Sequence, residues 1–227
     1  MPTGLRTLTY YAKGALPRAP EAMTAPTADW GMLGNNHYGD CGVAGLQHGF
    51  QAAAVDTHKK TFLPTAQQAV AYYLHYTHGQ DSGVALMTYL LYVHKVGYYG
   101  NKVQAFAPVT PKDIPTLKFV TNAYDFTYLG IVVTTLMEKA FATRQPWKSS
   151  TLRGNILGGH CVCGVGYDDL GITVVTWGGI QKLTWAAFQE MERIGDAEAI
   201  AVITGEIDEG DGHGIAYATL VEDLAKI

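Results

Sequence analysis

The sequence predicts an α+β domain in which an N-terminal helical layer packs on a mostly antiparallel sheet. Three observations carry that expectation. Helical periodicity is concentrated between residue 41 and about residue 96, whereas β-branched and aromatic runs fill the second half. Those runs are short and bounded by Gly or Asp, as hairpin-connected strands are. Helices precede strands instead of alternating with them, which argues against a doubly wound parallel sheet.

Residues 1–30 hold Pro2, Pro17, Pro20 and Pro26 among small residues, with little periodicity, and read as an extended arm laid over the domain. The domain proper is expected at 31–206, followed by an acidic loop and a helix at 207–227. Val43, Leu46, Phe50, Ala53 and Ala54 recur at helical spacing, and Asp40 stands where an N-cap belongs, so a first helix is expected to start at Cys41. A second follows Pro64 (AQQAVAYYLHY). A third is expected over 82 to about 96, with Asp81 as its cap and its end near Gly97. KVQAFAPV and FTYLGIVV read as strands, with a helix after Pro111 between them. HCVCGVGY, GITVVTW and AIAVITGEI read as three more strands. After the acidic, Gly-rich DEGDGHG, the segment ATLVEDLAKI reads as a terminal helix, and no internal repeat is visible.

Composition narrows the function. The 227 residues are 48% hydrophobic, enough for one large core. Sixteen basic and 20 acidic residues give a net charge of -4 with no basic cluster, which disfavours a nucleic-acid partner. No apolar run reaches membrane-spanning length, and the N-terminus lacks the uninterrupted apolar stretch of a secretion signal, so neither membrane anchor nor export is expected. Three cysteines, two of them separated by a single residue, do not read as a disulfide framework; free thiols in a reducing compartment are expected.

The stretch NNHYGDCGVAGLQHGF places Cys41 at the first turn of a helix, where unpaired N–H groups and the helix dipole favour a thiolate. The charge of Asp40 opposes this unless its carboxylate turns to cap the helix. Gly39, Gly42, Ala44 and Gly45 leave room beside the sulfur, and Gly45 and Gly49 let the helix lie close to a neighbour. Against the reading as a nucleophile stands the frequency with which cysteine is simply buried.

GGHCVCGVGYDD supplies a distant partner. His160 begins a strand after two glycines, and alternation puts Cys161 and Cys163 on the other face, where they read as small core residues. Neither a cofactor nor a metal is expected, because no Cys-x-x-Cys and no matched histidine pair accompanies them. His48 lies two helical turns from Cys41, roughly 10 Å along the axis, and reads as a packed or surface residue, as do His37, His75 and His78. Tyr72, Tyr73, Tyr76, Tyr98 and Tyr99 read as core and rim.

Asn35 six residues before Cys41, Gly39-Asp40-Cys41-Gly42 opening a helix, Gly-His followed by Val-Gly-Tyr, and a Thr-Trp-Gly strand end together resemble papain-like cysteine peptidases. Divergent C39-like proteins of bacteria and phages are the nearer resemblance, over roughly residues 30 to 205. It implies a papain-like fold, Cys41 as nucleophile, His160 as general base and then acid, and Asn35 with the Cys41 N–H as oxyanion donors. It further implies a peptide, protein or peptidoglycan substrate. The family's histidine is oriented by Asn or Asp before a Ser-Trp-Gly segment, but here the segment reads Val174-Val175-Thr176-Trp177-Gly178. Aligning on Trp177 puts Val175 in that place, while counting from His160 puts Thr176 there; Asp168 and Asp169 read as hairpin-turn residues. A non-catalytic alternative follows: a papain-like virion or binding protein, cytoplasmic or virion-borne, meeting virion or homo-oligomer neighbours through its N-terminal arm.

Overall fold

Every side chain from Val43 to Ala52 except Gly45 and Gly49 must find a neighbour, because α1 (Cys41–Asp56) is buried along nearly its whole upstream half. The computed structural model describes residues 5–56, 63–193, 197–204 and 214–227. In it α1 lies across a six-stranded, wholly antiparallel sheet of β1 (Ala105–Val109), β2 (Thr127–Thr134), β3 (Ile156–Tyr167), β4 (Gly171–Thr176), β5 (Gly179–Thr184) and β6 (Ala197–Ile203). The strand order is β1-β6-β2-β3-β4-β5. Glycines allow the close approach: a Cβ on Gly45 would sit 2.9 Å from Cys161 Sγ, and one on Gly49 would clash with the Phe126 ring. Leu46 and Phe50 are buried here, each worth about 1.5–3 kcal/mol of transfer free energy.

The local signals place most other elements. A reciprocal capping box starts α2 (Ala66–Tyr76): Thr65 Oγ1 accepts from Gln68 N, and Gln68 Oε1 accepts from Thr65 N at 3.0 Å. Asp113 caps α4 (Ile114–Ala123), with Pro115 in its first turn. Tyr217–Leu224 forms the terminal helix, α7. The third helix, α3 (Leu86–Val96), ends at Gly97 but begins four residues later than expected. Asp81 does not cap it: its Oδ1 accepts from Gly39 N and from the Tyr73 hydroxyl, each at 2.8 Å. That tie holds residues 82–85 as an open strip beside α1, and Gly42 has no side chain to block it.

Three elements were not expected. α5 (Thr135–Ala142) continues from β2 with no glycine or proline between them, capped only by the Thr134 hydroxyl. β5 and α6 (Trp185–Arg193) follow β4 through the two-residue turn Trp177–Gly178. The arm is laid over the domain and tied to it: Leu8 and Tyr11 in the 3-10 turn Leu8–Tyr11 are buried, the Tyr11 hydroxyl donates to Asp223, and Met23 pairs with Tyr167. Residues 1–4 and the acidic segment 207–213 lie outside the described residues. Among the described residues, no helix is long and apolar enough to cross a membrane.

Candidate active site

Cys41 is the first residue of α1, as the sequence pattern predicts, and the residue is part exposed. The Tyr128 hydroxyl of β2 donates to Gly42 O at 2.6 Å and anchors this helix start to the sheet. The backbone N–H groups of Cys161, Gly42 and Cys41 itself favour the thiolate. Burial outweighs them, however, and the charge of Asp40 adds to it, so the thiol is pushed up from its usual value. This corrects the expectation that the helix start lowers it.

Asp40 explains part of that reversal. Its backbone carbonyl starts the helix by accepting from Ala44 N, but its wholly buried carboxylate does not cap it. Oδ1 accepts from Asn35 Nδ2 at 3.2 Å, and Oδ2 has no hydrogen-bond partner among the described residues. Burial raises this carboxyl to about 6. Asn35 Nδ2 also donates to Tyr38 O at 3.4 Å, so both amide hydrogens are directed into its own loop. Service as an oxyanion donor requires a side-chain rotation that gives up one of these bonds.

His160 stands on β3, and its Nε2 lies 2.8 Å from Thr176 Oγ1. Sheet register decides between the two candidates: Val175 pairs with Cys163 and so shares the Cys161 face, whereas Thr176 falls on the face of His160. Trp177 stacks on the imidazole, ring centroids 4.9 Å apart at 25°. The indole gets there because Trp177 and Gly178 both have positive φ (46° and 72°), the two-residue turn that matches strand twist. A tryptophan in that region is strained by about 1 kcal/mol or more, and Phe141 and Trp147 pack edge-on against it. Burial lowers the imidazole to about 4.

Cys41 and His160 line one cleft of about 700 Å³, together with residues 82–86, part of β2, the Gly158–Gly159 entry to β3, and Ala197 and Glu198 of β6. Sequence reasoning missed the strip at 82–85, which reads as helix, and Glu198, which no local pattern marks. Asp168 is a turn residue: its carboxylate accepts from Leu170 N, Gly171 N and Lys182. Cys161 and Cys163 are buried on the face away from the histidine. His48 is also buried, donating through Nε2 to the carbonyls of Trp30 and Gly31, and Gly31 bridges to Gly178 of the tryptophan turn. It therefore braces the site from behind without reaching the thiol. His37, His75 and His78 are exposed.

No protein-family model matches the chain, and no curated protein matches it in sequence. Among solved structures, the chain is similar to xylellain, a cysteine protease from Xylella fastidiosa, with a TM-score of 0.62 at 16% identity over 86% of this chain and 88% of that one. It is also similar to the Amb a 11 cysteine protease, a ragweed pollen allergen, in its proform (TM-score 0.56, 15% identity, 91% of this chain and 72% of that one). A third similarity is to the cysteine protease and lectin-like domains of Cwp84, a surface layer associated protein of Clostridium difficile (0.54, 13%, 86% of this chain and 55% of that one). The α+β fold is that of the papain-like cysteine proteases.

Proposed function

We propose that the chain is a papain-like thiol hydrolase that opens a peptide, isopeptide or related amide bond in a peptide, protein or peptidoglycan substrate. One observation carries the reading: the part-exposed Cys41 at a helix start and His160 line the same cleft, with His160 Nε2 held by Thr176. That bond leaves Nδ1 free to take the thiol proton. Burial keeps both groups neutral in the free protein, since it raises the thiol and lowers the imidazole. Proton transfer to Nδ1 therefore accompanies attack on the substrate carbonyl instead of preceding it. The carbonyl oxygen gathers charge against the Cys41 N–H. His160 then protonates the departing amine, and water, deprotonated by the same nitrogen, releases the acyl group.

Thr176 is a weaker orienter than a carboxamide. A hydroxyl both donates and accepts, so it does not by itself fix the proton on Nε2. This feature, with both Asn35 hydrogens engaged elsewhere, favours a second reading: a catalytically silent papain-like fold serving as a structural or binding protein, such as a virion component. Iodoacetamide labelling with mapping of the modified cysteine separates the two. The hydrolase reading expects Cys41 to be the cysteine that is modified, and His160→Ala to slow its labelling. Cys41 labelling that His160→Ala leaves unchanged, with Cys41→Ala harmless to every biological activity, rejects it.

A further inference from the structure

Among the described residues, the cleft wall carries one acidic side chain that the chemistry above does not use, Glu198, and no lysine or arginine. Glu198 on β6 pairs directly with Gly130 on β2, and Gly130 pairs with Cys161 on β3. The three positions form a row on one sheet face. Gly130 keeps the middle of that row low: a Cβ there would lie 3.0 Å from Leu86 Cδ1 and 3.3 Å from Glu198 Cβ. The glutamate is exposed and forms no salt bridge among the described residues. Around it the wall is apolar, with Leu86, Ile131, Val132 and Ile156, so its charge meets little competition.

Distance links this charge to the reacting sulfur. Two strand spacings of about 4.8 Å place Glu198 roughly 10 Å across the sheet from Cys161. The N–H of Cys161 is among the groups near enough to the Cys41 sulfur to favour its thiolate. An extended peptide advances ~3.3 Å per residue, and the four-carbon stem of a lysine covers the remainder, so a cation one to three residues from the attacked bond reaches the carboxylate.

We propose that Glu198 selects a substrate bearing a lysine or arginine side chain close to the amide bond that Cys41 opens. The inference rests on the thiol hydrolase reading and names its substrate class. Peptidyl vinyl sulfones test it without turnover: matched sets carrying Lys, Gln or Glu at each of the three positions before the electrophile, with Cys41 labelling followed by intact mass. The Lys probe is expected to label roughly fivefold faster than the Gln probe at one of these positions, the upper range for a part-exposed ion pair, and the Glu probe to label slowest. The Lys advantage shrinks as salt is raised. Glu198→Gln removes it, Glu198→Arg reverses the order, and neither changes the iodoacetamide rate. Equal Lys and Gln rates at all three positions, or a Lys advantage that survives Glu198→Gln, overturns the assignment while leaving the nucleophile intact. A Cys41 inert to iodoacetamide as well sinks the hydrolase reading and this inference with it.

Discussion

Replacing Asp40 by asparagine keeps the side-chain shape and removes a buried charge beside the nucleophile. In the folded chain burial holds the Asp40 proton up to about 6, against 3.8 when the group is free in water. Below 3.8 both states are protonated, and above about 6 neither is; in between, only the folded state holds the proton. Asp40 therefore favours folding at low pH, and that contribution is lost as pH rises from 3.8 through 6. At 1.36 kcal/mol per pH unit, the interval corresponds to about 3 kcal/mol. A carboxamide at this position has no such loss. The stability of Asp40→Asn relative to the parent should rise by about 2.4 kcal/mol between pH 4 and pH 7, on top of a pH-independent offset for its unpaired amide N–H. Urea unfolding at pH 4, 5, 6 and 7 measures the difference. His48 and His160, both lowered to about 4 by burial, act in the opposite sense, their contribution present above 6.5 and lost as pH falls through 4. Both variants carry them, so they cancel in the difference. A difference that is flat with pH, or one that falls as pH rises, refutes the reasoning.

Two other substitutions probe the histidine and the helix seat. Thr176→Val removes the hydroxyl bonded to His160 Nε2 and should slow vinyl sulfone labelling of Cys41 about tenfold, with Thr176→Ser retaining most of the rate; equal rates for Val and Ser deny Thr176 a positioning role. Gly49→Ala gains about 1 kcal/mol of helix propensity but drives a methyl into the Phe126 ring, an overpacking cost of about 1–3 kcal/mol. Urea unfolding should show net destabilisation that Phe126→Leu relieves in the double variant, and a more stable Gly49→Ala would mean that α1 does not press on Phe126 at this point.

The residues themselves specified what depends on neighbours a few positions away. The start of α1 at Cys41, the helical segment after Pro64, the end of α3 at Gly97 and every strand but β5 were readable because periodicity, caps and glycine act locally. α5 was not, since it follows β2 with no glycine or proline between them, and neither was β5, which follows β4 after only the Trp177–Gly178 turn. Asp81 looked like a helix cap until Gly39 and Tyr73 claimed its oxygen from 42 and eight residues away. The choice between Val175 and Thr176 needed the β3–β4 register, because a one-residue slip turns every side chain to the other face. Local sequence set the Cys41 sulfur at a positive helix end and so argued for an easily ionised thiol. Only the packed chain decided the opposite sign, because desolvation by residues brought from other elements, and an Asp40 carboxylate bonded to Asn35 instead of the helix, exceed the pull of the helix N–H groups.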